Sequence, residues 1–221
     1  MLAHLRLYQL ISPSLPIGAF TYSQGLEWAV EAGWVKDQAS LQQWLEGVLY
    51  LSVARLELPV LIRLRHAMDN EDVTSILHWS RYLYASRETS ELRAEERQRG
   101  KALGVLLPSL GIEITPDIQP AIDITQLAGM ALASHHWRIP IEDLCTGYLW
   151  SWLENSVMAG VKLVPLGQTS GQRVLLDLSE QLPELVELSL SITDEHVAGS
   201  TPALAIASAR HETQYTRLFR S

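Results

Sequence analysis

The apolar positions of this chain recur at helical steps almost from end to end. The densest run is Leu144 to Val164. There Leu144, Cys145, Tyr148, Leu149, Trp150, Trp152, Leu153, Val157, Met158, Val161, Leu163 and Val164 leave only a narrow polar strip at Glu154, Asn155 and Lys162. A helix apolar on nearly every side must be enclosed by other helices or by lipid. Those three polar side chains, and the lack of an unbroken run of roughly 20 apolar residues, argue against lipid. The stretch therefore predicts the central helix of an all-α domain. Pro140 stands at its entrance, with Glu142 and Asp143 in the first turn, where the helix dipole favours negative charge. Pro165 and Gly167 end it.

The other elements follow the same period. Leu2 to Ile11 reads as a short helix, interrupted by Ser12-Pro13-Ser14-Leu15-Pro16-Ile17-Gly18. That loop is not polar: Leu15, Ile17 and Phe20 want cover. Thr21 is the expected cap of a restarted helix, with Gln24 as the second half of a capping box, running to a stop at Gly33. Asp37 caps the next helix, whose apolar series from Leu41 to Leu64 contains Pro59; a kink or split is expected near Leu58. Asn70 is the expected cap of a helix carrying Ile76, Leu77, Trp79, Tyr82 and Leu83. Residues 85–111 are charged in the first half and apolar in the second. A loop over 113–123 leads to a helix capped by Asp123 or Thr125 and ending at His135-His136. Beyond the central helix, Arg173–Leu178 and Leu182–Leu190 support one or two more, the second opened by Pro183 and Glu184. Nothing reads as a strand ladder. The pattern predicts one all-α domain over 1–221 of roughly eight to ten helices around the central one, with a tail from about Ser200.

Composition narrows the function. A chain of 221 residues buries close to ~70% of its unfolded surface and folds without disulfide or metal. One cysteine, Cys145, rules out an internal disulfide framework and fits a reducing compartment. Met1–Leu10 lacks a signal-peptide hydrophobic region, so a cytoplasmic protein is expected. The net charge of −8 disfavours nucleic acid as a partner. Seven tryptophans and seven tyrosines suit cores and interfaces alike.

No Gly-rich phosphate loop, no H-E-x-x-H and no paired-cysteine metal motif occurs. His135 and His136 are adjacent on a helix and face different ways. Cys145 reads as a small core residue. An enzyme is disfavoured, though residues distant in sequence could still assemble a site. Two stretches exceed what a plain helical domain requires. Within 87–101, charges alternate in sign, and a solvated helix face with local pairs is the simplest reading. The stretch ARHETQYTRLFRS mixes Arg210, Arg217 and Arg220 with Tyr215, Leu218 and Phe219. It either docks on its own body or waits for a partner offering apolar pockets and carboxylates.

Four blocks, SPSLPIGAFTYSQGLE at 12–27, ASRETSELRAEERQRG at 85–100, VKLVPLGQTSGQ at 161–172 and RHETQYTRLFRS at 210–221, together resemble the urease accessory protein UreF family. The blocks lie in the family's order, with Thr216 where the family more often shows serine. The resemblance implies an all-helical, cytoplasmic homodimer with no catalytic activity and no cofactor of its own. It implies binding to UreD (UreH in some lineages) and the GTPase UreG, and loading of nickel onto apo-urease. Regulation of the GTPase goes with it, and neither nucleic acid nor membrane is an expected partner.

By the same resemblance, Tyr215, Arg217, Leu218, Phe219 and Arg220, with Arg210, become the UreD-binding end. Ser14, Pro16, Gly18, Phe20, Tyr22 and Gln24 form either a structural cap or a second partner surface. Lys162, Gly167, Gln168, Gly171 and Gln172 are expected to support the dimer or the GTPase-facing surface, with Gly167 and Gly171 in tight turns. Arg87, Glu88, Glu91 and Arg93 form either a structural network or an interface. Two other classes stay open: a helical enzyme built from Glu or His residues brought together by folding, and a direct nickel carrier.

Overall fold

The computed structural model describes residues 1–221 and contains helices only. In chain order these are α1 (Leu2–Ile11), a 3-10 turn (Ala19–Thr21), α2 (Leu26–Glu31), α3 (Gln38–Val48), a π-helical stretch (Leu49–Glu57), α4 (Leu58–Asp69), α5 (Val73–Ser86) and α6 (Ser90–Ser109). The single turn α7 (Gln119–Ile122) follows, then α8 (Gln126–His136), α9 (Ile141–Leu163), α10 (Gln168–Ser179), α11 (Leu182–Ser191), a second 3-10 turn (Asp194–His196) and α12 (Pro202–His211). One contiguous apolar cluster of 56 buried residues runs through all of it, so the chain is a single all-α domain.

The helix α9 is the axis expected from its pattern. It packs against α1, α2, α3, α4, α10 and α11. Leu144, Leu149 and Leu153 have no exposed surface, and Cys145 is sealed beside them, its thiol pushed up to about 12 by burial. Pro140 occupies the N-cap, and Glu142 and Asp143 lie in the first turn. Behind α9, the helix α4 is sandwiched by α5 and α8, and α6 lies along α8. Asp37 caps α3 in a full capping box with Ser40, and Thr125 caps α8 through Leu127. No helix is long and apolar enough to cross a membrane.

Four expectations are corrected. First, Pro59 does not split its helix. The chain runs through from α3 to α4, and the preceding turns widen into the π-helical stretch; the Leu58 N–H reaches back five residues to the Val53 carbonyl. Widening moves the residue-55 carbonyl away from a proline ring that would otherwise crowd it and that has no N–H to offer. Second, Asn70 closes α4 rather than opening α5, with its side chain on the His66 carbonyl. Asp72 caps α5 by accepting from Ser75. Third, Thr21 and Gln24 form no capping box. Thr21 ends a 3-10 turn, Gln24 has φ +52°, and α2 starts only at Leu26 after Gly25.

Fourth, the stretch from Ser200 is not a tail throughout. Pro202 opens α12, which lies on α2, and Leu204, Ala207, Ser208 and His211 are buried. The approach is close enough that a Cβ at Gly25 would come within 2.7 Å of the Ser208 nitrogen, so only glycine fits there.

Candidate partner-binding surface

The charged stretch at the start of α6 divides into an inner and an outer half. Arg87 is buried and spans two carboxylates. Its Nη1 donates to Glu57 at 2.9 Å, and its Nε and Nη2 both donate to Glu96. Tyr148 on α9 donates to the other oxygen of Glu57, and Thr125 donates to the other oxygen of Glu96 at 2.7 Å. Burial alone pushes Glu57 up, but the Arg87 charge and the hydrogen bonds from Arg87 and Tyr148 outweigh it, and the carboxyl ends below its usual range. Burial pulls Arg87 down; Glu57 and Glu96 more than reverse this and hold the guanidinium firmly charged. Arg87 is thus a structural cross-link between the π-helical stretch and α6, with its donors spent inside the chain. Of the two readings open to this residue, the internal network is the geometry observed. Glu88 is exposed and accepts from Ser200 at 3.2 Å, and Arg93 reaches only the Glu88 carbonyl at 3.4 Å.

Glu91, on the outer half, belongs to the C-terminal segment. One of its oxygens meets His211 Nδ1 at 2.7 Å, and the other takes the Arg217 guanidinium at 2.7 Å. Glu27 on α2 takes the other side of the same histidine, with Nε2 at 3.3 Å. The same Glu27 carboxylate accepts the backbone N–H of Leu218 at 2.6 Å and of Phe219 at 2.8 Å. Glu212 accepts from the Ser90 hydroxyl and from the Ser90 and Glu91 backbone N–H groups at the open end of α6. That is where the helix dipole welcomes a carboxylate, and the Ser90 hydroxyl bond leads the causes that lower its pKa. The Ser221 carbonyl accepts from Ser23 N–H at 2.7 Å and Arg220 N–H donates to Thr21, so the last residues lie along the N-terminal segment. Of the two fates open to this end, docking on its own body is the one observed.

The docked segment keeps part of its apolar surface in water. Phe219 and Ser221 are buried, yet Tyr215 is fully exposed and Leu218 is 68% exposed. Phe20, 56% exposed, lies beside Leu218 in a shallow depression completed by Thr21, Lys162, Phe219 and Arg220. The Lys162 ammonium stands 6.0 Å from the Phe219 ring. Arg210 and Tyr215 line a neighbouring depression with Trp28, Trp34 and Ile206.

The N-terminal block is divided in the same manner. Ser14 and Pro16 are exposed, with Ser14 bonded to Ser12. Gly18 is half-buried at the head of the 3-10 turn, where its carbonyl takes the Thr21 hydroxyl. Tyr22 is buried and donates to Gln98 at 2.6 Å. Gln24 bridges two helices, donating to Glu95 on α6 at 3.1 Å and accepting from the Trp152 indole on α9 at 3.1 Å.

The residues of the third block separate. Lys162 joins the depression just described. Gly167, Gln168 and Gln172 are exposed around the start of α10. Gly171 sits inside that helix and not in a turn; a Cβ there would come 2.5 Å from Val161 Cγ2, so its lack of a side chain lets α10 lie on α9. Glu27, His211, Ser23 and Glu212 were not singled out from the sequence. Glu27 had a signal, being the one carboxylate in the first turn of a mostly apolar helix. No group of three or more His, Cys, Asp or Glu side chains is placed to hold a metal ion, and His135 pairs with Asp69 at 2.7 Å.

A UreF family model matches residues 35–179. The chain is 52% identical over 220 residues to the urease accessory protein UreF of Pseudomonas putida, covering 100% of this chain and 98% of the relative. It is 54% identical over 225 residues to that of Alcanivorax borkumensis, covering 99% and 98%. It is 48% identical over 217 residues to that of Citrobacter koseri, covering 98% and 97%. On a family match over most of its length and on end-to-end similarity at this level, the chain belongs to the UreF family of urease accessory proteins, which are non-catalytic maturation factors.

Proposed function

We propose that this chain is a scaffold for urease maturation. It binds UreD (or UreH), recruits or regulates the GTPase UreG, and takes part as a cytoplasmic homodimer in loading nickel onto apo-urease. The observation that carries the reading is the composite face where Phe20, Lys162, Leu218 and Arg220 meet over a segment fastened from beneath. Exposed aromatic and aliphatic side chains beside cations on a rigid support are what a protein partner uses as anchors. A flexible end would lose ordering entropy on binding; a segment already docked loses less.

The test is a pull-down with purified UreD. Removing residues from Arg210 onward would also remove His211 and damage α12, so point variants are the cleaner tool. Leu218→Asp and Phe20→Asp are expected to abolish UreD recovery with unchanged circular dichroism. Recovery of UreD by both variants overturns the assignment. Lys162→Glu is expected to impair co-elution of UreG from the assembled complex. Unchanged UreG with weakened UreD would move Lys162 to the UreD face.

A further inference from the structure

The imidazole of His211 lies at the junction of α2, α6 and α12 with no exposed surface. Each ring nitrogen meets a carboxylate oxygen: Nδ1 meets Glu91 on α6 at 2.7 Å, and Nε2 meets Glu27 on α2 at 3.3 Å. Other donors already converge on both carboxylates. Glu27 takes the Leu218 and Phe219 N–H groups, and Glu91 takes the Arg217 guanidinium. The remaining charges of the neighbourhood are engaged elsewhere. On α12 itself, Arg210 lines the depression that holds Glu31, and the adjacent Glu212 is bonded to Ser90. On α6, Glu88 takes Ser200 and Arg93 reaches the Glu88 carbonyl.

An ionised carboxylate only accepts, and a neutral imidazole has one donor and one acceptor. With either neutral tautomer, one ring nitrogen would aim its lone pair at a carboxylate oxygen, in a place sealed from solvent. Only the imidazolium, a donor at both nitrogens, satisfies both contacts. The charges give the same answer. Glu27 is 8% exposed, and His211 is the only basic side chain paired with it. Glu91 has Arg217 as well. With the ring protonated, two positive charges face two negative ones. With the ring neutral, Glu27 is a buried charge without a partner, which is strongly destabilising.

We infer that His211 is a proton-operated latch, whose doubly protonated ring clasps Glu27 and Glu91 and thereby holds the C-terminal segment down. When the ring gives up a proton, Glu27 loses its counter-charge and turns toward solvent, and the Leu218 and Phe219 N–H groups lose their acceptor. The hold exists while the imidazolium keeps its proton and is lost as pH rises. Glu212, bonded at the start of α6, has the opposite sign, its hold being lost as pH falls. Docking of the segment therefore passes through a maximum, with His211 setting the alkaline limb. The latch rests on the geometry around His211 and holds whether or not UreD binds the face above it.

The test is an NMR titration of the full chain with isotope-labelled histidine rings and backbone amides. While the segment is docked, both ring nitrogens of His211 are expected to carry protons. As pH is raised the ring loses one, and the Leu218 and Phe219 amide signals are expected to move with the same midpoint. A ring with one bare nitrogen while those two amides keep their docked positions overturns the inference. A ring that keeps both protons until α9 unfolds overturns it too. His211→Gln gives a second reading, because its neutral amide can donate to one carboxylate only by turning its oxygen toward the other. Exchange protection at Leu218 and Phe219 is expected to be lower than in the parent chain by about tenfold or more, the loss of one hydrogen bond to a charged group, with Leu149 and Leu153 unchanged. Protection equal to the parent's at every pH overturns the inference. The titration of the unaltered chain decides the matter even if this variant does not fold.

Discussion

Phe219 gives its backbone N–H to the carboxylate of Glu27 at 2.8 Å, across 192 residues of chain. Glu27 also holds the neighbouring Leu218 N–H and one side of His211, so one buried carboxylate ties down three points of the C-terminal segment. Hydrogen bonds to a charged group contribute about 1.5–3 kcal/mol each, more than neutral ones. Glu27→Ala is expected to free residues 212–221 while α9 and the core stay folded. Amide hydrogen exchange checks this: protection should fall at Leu218 and Phe219 and hold at Leu149 and Leu153.

Arg87→Leu leaves Glu57 and Glu96 buried with fewer partners. Breaking one member of a buried pair costs about 3–5 kcal/mol, because the remaining charge has nothing to face. Arg87→Lys is expected to recover only part of this, since an ammonium cannot span two carboxylates as the guanidinium fork does. Urea denaturation of the two variants gives the comparison.

The attachment of the C-terminal segment should loosen in acid through Glu212. Its carboxyl lies below its ordinary value of 4.5 in the fold. The unfolded chain therefore takes up the proton first as pH falls, so this stabilisation is whole above about pH 4.5 and is lost as pH drops through the lower, folded value. Glu95 has the opposite sign. Burial, its largest influence, raises it, with Glu96 adding to the rise and Arg99 opposing it. Its cost is present above the raised folded value and is relieved as pH falls through it. Acidification from neutral pH should thus first ease Glu95 and afterwards release Glu212. Exchange protection of residues 212–221 against pH follows the second step, and Glu212→Gln should flatten it.

Gln24 stands at φ +52°, where a side chain costs about 1–2 kcal/mol that glycine does not. Its two side-chain hydrogen bonds, to Glu95 and from Trp152, offset that cost. Gln24→Ala and Gln24→Gly both lose the bonds, but only the alanine keeps the strain. The glycine variant is expected to be the more stable of the two by about 1 kcal/mol in equilibrium unfolding. Equal stabilities would show that the backbone at this position carries no load.

What could be read in advance was what depends on near neighbours in sequence. The run through Leu144–Val164 had to be enclosed whatever surrounded it, and α9 is. Asp37 had Ser40 within its own turn. Arg87 shows the limit. Its alternating neighbours suggest a solvated face, but Glu57 lies 30 residues away and only tertiary folding brings it close. Glu96 is buried while the adjacent Arg97 is exposed, a distinction that sign alternation does not carry. Gln24 was expected to cap a helix because its spacing from Thr21 fits; the pull of Glu95 and Trp152 on its side chain overrode that local preference. Gly171 looked like a turn residue, yet its use depends on Val161, on the other side of a helix break. The four sequence blocks gave no hint of their mutual arrangement, although Phe20, Lys162 and Leu218 come from three of them.

The wide stretch from Leu49 to Glu57 sets a phase for everything after it. Each i→i+5 turn holds more chain than an α-turn, so the segment stores surplus length while keeping the axis continuous. Deleting one residue there would let the coil tighten to ordinary pitch, with no loop needing to open. The penalty would be rotational: side chains on one side of the shortened coil would swing round relative to those on the other, and Glu57 would be turned out of reach of Arg87. Loss or gain of a single codon in this segment is therefore a change of aim rather than of length.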